Sequence, residues 1–177
     1  MDVPFINERV LRAHAENFIE RYHPSLVIPI PIEVIVERDL KIQIVPIPGL
    51  RRAFHIDAFI TSDFKEIHVD ETQMTDYEQR YRFTLAHEVG HLILHKSIYN
   101  SLDIISESTW RAAQSNMGNK SIGDLEYQAN SFASYLLIPD SALNDYPPGV
   151  ASLQDIADAF NVSLEAAEVR LRKKYVK

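Results

Sequence analysis

The chain has 177 residues, 46% of them hydrophobic, which is enough to bury one sizeable core and close to the usual size of a single domain. A formal charge of -7 excludes a broadly basic surface for nucleic acid or anionic membrane. Cysteine is absent, which excludes disulfides, thiolate metal sites and a Cys nucleophile, so any metal must be held by nitrogen and oxygen.

The opening MDVPFINERVL lacks a basic segment followed by a long apolar run, and no apolar stretch approaches the roughly 20 residues of a membrane span. The expected location is the cytoplasm, with no membrane partner. From Asn7 to Tyr22, Val10, Leu11, Phe18, Ile19 and Tyr22 recur at helical spacing before Pro24, which predicts an amphipathic first helix. Pro31 predicts the start of a second, short helix, and KIQIVPI alternates like a half-buried strand. AFHIDAFI and KEIHVD flank the turn-like TSDF and predict an antiparallel hairpin, with His55 and His68 as ordinary strand residues.

Thr75 and Glu78 fit a capping box opening a long helix that runs to about Ile98. Between Asn100 and Lys120 the pattern weakens around the lone Trp110 into an expected surface connection or lid. A second long helix is predicted from a Ser121/Asp124 cap to a stop at Pro139. After YPPG, two short helical patterns meet at FNVS. The expected organisation is therefore a main domain over residues 1–146 and a small helix-turn-helix-like unit over 147–177, packed as part of the same body.

The stretch RFTLAHEVGHLILH sets costly polar groups among core residues. On a helix, His87 and His91 stand one turn apart on one face, where two imidazoles can grip one cation. Glu88 is rotated by about 100° and stands beside them, in place to accept a proton from water activated by zinc. Leaving such histidines buried without partners would cost on the order of 1 to 3 kcal/mol each, a cost that a shared ion removes. A catalytic zinc needs a third protein ligand and an open position. His95 continues the spacing but lies too far along the helix, so its expected place is at the helix end or lining the cleft. Glu126 is the better candidate, on a face shared with Ala129, Asn130 and Ala133 that small residues let approach Gly90 closely. Asn130 is placed to orient a ligand, while Asp103, Glu107 and Asp124 are weaker substitutes for Glu126.

RFTLAHEVGHLILH followed by EYQANSFASYLLIP resembles the ImmA/IrrE family of zinc metallopeptidase-like proteins, with its HExxH helix, downstream E-x-x-A-N-x-F-A pattern and Leu-Leu-x-Pro ending. The resemblance implies an α+β, zincin-like fold, in which a small antiparallel or mixed sheet packs on the HExxH helix. It implies Zn2+ as cofactor, held in gluzincin-like fashion by His87, His91 and Glu126, with Glu88 as the catalytic glutamate. It also implies an endopeptidase of regulatory, anti-repressor type that cleaves or inactivates a helix-turn-helix repressor. The radiation-response members carry a further sensor-like domain, and the chain resembles the shorter type.

A reading of a different class is a non-catalytic protein- or DNA-binding regulator, such as a toxin-antitoxin-type partner, with a structural zinc site. IADAFNVSLEAAEVRLRKK motivates it, but Glu165 and Glu168 occupy positions where a DNA reader offers basic or amide side chains, so direct DNA contact is disfavoured. An edge strand of the hairpin could pair with an extended substrate. Tyr81, Tyr99, Tyr127 and His95 are the conceivable oxyanion donors.

Overall fold

The computed structural model describes residues 3–104, 106–147 and 149–175. The chain begins with α1, Glu8–Tyr22, whose N-terminus is capped by the Asn7 side chain accepting from the Val10 N–H. α2, Ile32–Val34, runs into a wider π-helical turn over Ile35–Asp39. Three strands follow: β1, Gln43–Ile47; β2, Ala58–Ile60; and β3, Glu66–Asp70. Their order is β1-β3-β2, with β1 parallel and β2 antiparallel to β3. Pro46 is tolerated because β1 lies at an edge, where a missing N–H removes no ladder bond. β2 forms the other edge.

The predicted hairpin is shorter than its sequence pattern. Gly49, at φ 70°, opens a helical turn, α3, Leu50–Phe54, which ends at His55 in the left-handed region at φ 56°. His55 is therefore a helix-ending residue and not a strand residue. His68 does lie on β3, where its ring stacks on Phe59 at 4.7 Å and its Nε2 lies 2.8 Å from Glu66 Oε2.

The Thr75/Glu78 capping box does not form. Asp70 caps an earlier helix, α4, Glu71–Asp76, and Thr75 is absorbed into its last turn, donating to Glu71 O. The chain then breaks at Tyr77 before α5, Glu78–Leu94. α5 stops short of Ile98, because His95 leaves helical geometry before α6, Lys96–Tyr99. The connection after Asn100 is partly ordered as α7, Glu107–Asn116, capped reciprocally by Ser106 and Thr109, a hydroxyl pair in place of the usual hydroxyl and carboxylate. The Trp110 and Glu107 side chains, like Lys177, lie outside the described part. α8, Asn119–Leu137, starts ahead of the expected Ser121 cap, at Gly118.

The core is built where α5 packs on α8, α8 on α1, and β2 on α5. Gly90 makes the first of these contacts possible. A Cβ added there would lie 3.1 Å from Ala129 Cα, 3.2 Å from its carbonyl oxygen and 3.3 Å from Phe132 Cδ1, so the two backbones nearly touch. α9, Asp140–Leu143, leads to α10, Leu153–Phe160, and α11, Leu164–Tyr175. These last two helices are tied to the rest by buried arginines. Arg170 donates to Ile138 O at 3.0 Å and Asp140 at 2.6 Å and lies over the Tyr135 ring, while Arg82 of α5 donates to Ile30 O and Asn161 O.

Replacing Gly90 with Val should force α5 and α8 apart and lower unfolding stability by about 2 kcal/mol, since overpacking against backbone outweighs the gain in helix propensity. Urea denaturation checks this; an unchanged midpoint would show that the approach is slack.

Candidate metal centre

α5 runs beneath the β2 edge with Leu85, Ala86 and Val89 in the core, which turns His87 and His91 toward α8. Across the Gly90–Ala129 contact, Glu126 of α8 meets them. The Nε2 atoms of His87 and His91 lie 3.0 Å apart, and Glu126 places one oxygen 3.2 Å from His87 and the other 3.6 Å from His91. Among the described residues, these three form the one His/Asp/Glu set whose potential ligand atoms converge, all within 4.8 Å. Tetrahedral ligands at zinc-nitrogen distances near 2.0 to 2.1 Å stand about 3.3 Å from each other, so the spacing fits one tetrahedral ion. The remaining face opens into a cleft of about 940 Å³. Asp103 and Asp124 are not part of the set.

Both imidazoles are oriented from behind. His87 Nδ1 lies 2.9 Å from Asn130 Oδ1, and His91 Nδ1 lies 2.9 Å from His95 Nδ1. His95 is thus not at the cleft wall. Its ring is buried behind His91 and its Nε2 meets Gln128 Oε1 at 2.9 Å, because the helix ends at Leu94 and the ring folds back under the last turn. Burial, with the neighbouring His91, lowers its pKa to about 4, so it is neutral. Burial also opposes charging of His87, but Glu126, Glu88 and Asn130 outweigh it and push its pKa up to about 9. Glu126 moves the opposite way: burial would raise it, yet the two imidazoles hold it far below the usual carboxylate range. Without metal, His87 and Glu126 form an ion pair.

Glu88 is 5% exposed and lines the cleft. Burial is the chief cause lifting its pKa, partly offset by His87, His91 and a hydrogen bond from the backbone N–H of Ile60. That bond follows from strand register. Thr61 and Asp57 bond to Glu66 and Asp70 of β3, so the alternate residues Ala58 and Ile60 aim their backbone groups away from β3. The edge that the hairpin pattern left undecided is β2, where Glu88 takes the Ile60 N–H and Ala58 lines the cleft.

Of the conceivable oxyanion donors, Tyr81 donates to Glu33 at 2.9 Å, Tyr99 packs its ring against His91, and Tyr127 donates to Glu8. Tyr127 lines the cleft, as does His55. Gln128 had no signal in the sequence, because it stands about 200° around the helix from Glu126. Its role follows only from where His95 folds back.

The opposite wall belongs to the C-terminal helices. Ser163, Glu165, Ala166, Val169 and Lys173 border the same cleft, so the helix that resembled a DNA reader faces the candidate metal site. Among the described residues no helix is long and apolar enough to cross a membrane.

Comparison with known proteins gives the family and the fold. Over 108 residues the chain is 33% identical to Metallopeptidase ImmA of Bacillus subtilis (strain 168), covering 59% of this chain and 54% of that protein. A solved Mycobacterium tuberculosis transcriptional regulator shares the fold, with a TM-score of 0.64 at 16% identity over 95% of this chain and 47% of its own. The chain spans about half the length of each. Residues 38–172 match the peptidase M78 family pattern, the IrrE N-terminal-like domain, and the chain belongs to this ImmA/IrrE family of metallopeptidases.

Proposed function

We propose that the protein is a zinc-dependent endopeptidase of regulatory type, with His87, His91 and Glu126 as metal ligands and Glu88 as catalytic base. The observation that carries this reading is the convergence of three ligand atoms at tetrahedral spacing beside a buried carboxylate, with one face open to a cleft. When bound, the ion supplies Lewis acidity that acidifies water and polarises a peptide carbonyl.

The chain's own residues supply the rest. Glu88, lifted in pKa by burial and held by the Ile60 N–H, accepts the proton of the attacking water and delivers it to the leaving amine. Asn130 and His95 hold the ligand imidazoles in orientation. Ala58 offers its edge backbone to an extended peptide, which would add as a strand beside β2. Across the cleft, α11 provides an apolar wall of Ala166 and Val169 with Glu165 and Lys173 as charged flanks. A cleft of about 940 Å³ walled by α5 and α8 on one side and α11 on the other has room for a protein segment. Kinship with a metallopeptidase supports a protein target, and the resemblance of the two motifs to the ImmA/IrrE family suggests that this target is a helix-turn-helix repressor, met in the cytoplasm. Because α11 borders the cleft, we assign the C-terminal unit to substrate recognition over DNA contact.

Glu88→Gln should lower the cleavage rate by about 10²- to 10⁴-fold while zinc content stays at wild type. The assay is incubation with candidate helix-turn-helix repressors, with metal content measured in parallel. Continued cleavage by a clean, zinc-loaded variant removes Glu88 from its role, and binding of the repressor without cleavage by the wild type would favour a non-catalytic regulator.

Zinc requires the bare Nε2 of His87, whose pKa in the metal-free protein is about 9. Protons therefore compete below pH 9, and the apparent zinc affinity should fall by up to about tenfold per unit as the pH drops. Chelator competition across pH reads this directly. A flat profile contradicts the assignment of His87 as a ligand.

Val169 is 44% exposed on the cleft wall, so Val169→Asp should leave folding intact. It should raise KM about tenfold with kcat little changed, as expected for lost uniform binding. Unaltered kinetics would remove α11 from substrate contact.

A further inference from the structure

The proton positions behind His91 can be deduced from one fixed point, the Pro4 carbonyl, 124 residues before Gln128 in sequence. Gln128 Nε2 lies 2.9 Å from the Pro4 carbonyl oxygen. A carbonyl oxygen only accepts, so the amide nitrogen must face it and the amide oxygen must face the other way, toward His95. That oxygen also only accepts, so His95 Nε2 must carry a proton. His95 is 1% exposed and its ring nitrogens meet an amide oxygen and another imidazole, neither of them a carboxylate that would hold a second proton, so the ring carries one proton and Nδ1 is bare. His91 Nδ1, 2.9 Å from it, must then be the donor, and His91 Nε2 is left with its lone pair toward His87 and Glu126. Gln128, His95 and His91 are each at most 2% exposed, so bulk water cannot exchange for these partners and reverse the order.

We propose that Gln128, anchored on the Pro4 carbonyl, is a positioning residue that selects the His91 tautomer able to bind metal through Nε2. This rests on the reading of His91 as a ligand. It also gives the segment before α1 a part in the centre: the backbone at Pro4 decides which way an amide points, and two histidines transmit that choice. The reversed amide would set its oxygen against the Pro4 carbonyl and its NH2 against His95, favouring a bare His95 Nε2 and a protonated Nδ1. His91 would then have to offer its lone pair inward, away from the candidate metal site.

The test compares the whole 177-residue chain with its Gln128→Met variant. In the metal-free wild type, long-range proton–nitrogen correlation spectra of the His95 ring should show the Nε2–H tautomer. Gln128→Met removes acceptor and anchor together and should give mixed His95 tautomers and zinc affinity lower by about 10- to 100-fold in chelator competition. The thermal unfolding midpoint of Gln128→Met, read in parallel, should stay within a few degrees of wild type, so that the loss is one of positioning and not of folding. An Nδ1–H tautomer in the wild type, or a folded Gln128→Met with unaffected tautomer and zinc affinity, would each overturn the proposal. The spectra and zinc titrations involve no substrate, so failure to cleave a repressor would defeat the peptidase reading without touching this one.

Discussion

The centre depends on how closely α5 and α8 approach. Gly90 lies between His87 and His91 in the sequence, and the residue it touches, Ala129, lies three positions after Glu126. The contact that sets the distance between the helices therefore also sets the distance between candidate ligands. A methyl group at residue 90 would meet backbone at 3.1 Å and require a displacement of a few tenths of an ångström. Metal coordination tolerates about 0.2 Å. Packing tolerance and coordination tolerance are of the same order, so here the geometry of the site is the geometry of the core.

The same helix carries polar groups into that core, and each finds a partner from another element. Arg82 donates to carbonyls of Ile30 and Asn161, Thr84 to Gln73, and Glu88 accepts from Ile60. None of these partners is adjacent in sequence. A buried polar group without a hydrogen bond costs on the order of 1 to 3 kcal/mol, so the partners confine α5 to one rotation and one depth. That confinement keeps the two imidazoles on the α8 side and the carboxylate on the β2 side.

The C-terminal helices close the arrangement from the far side. Arg170 is fully buried between Ile138, Asp140 and Tyr135, which anchors α11 at the end of α8. Lys173 bonds Glu8 and Ser131, linking α11 to α1 and α8 at the cleft border. Glu8 also accepts from Tyr127 and Tyr135; these bonds outweigh the effect of its burial and hold its carboxyl below the usual range. First, eighth and eleventh helices thus meet on one carboxylate, and the cleft wall is a product of that meeting.

Much of this was legible in the chain because it is local. Four-residue spacing puts His87 and His91 on one helix face in any fold, and the small residues Gly90, Ala129 and Ala133 announce a close helix pair. Strand and helix ends were less legible, because caps compete: Asp70 started α4 ahead of the expected Thr75 cap, and the helical turn opened by Gly49 took in Ala53 and Phe54, where alternation suggested strand. What only tertiary structure decided are the contacts between distant segments. The side of the sheet left open for Ala58, the folding of His95 behind His91, the orientation of Gln128 by Pro4 and the turning of α11 toward the cleft all depend on directions in space. Periodicity along one element cannot encode them, since it specifies which face of an element is apolar but not which other element will cover it.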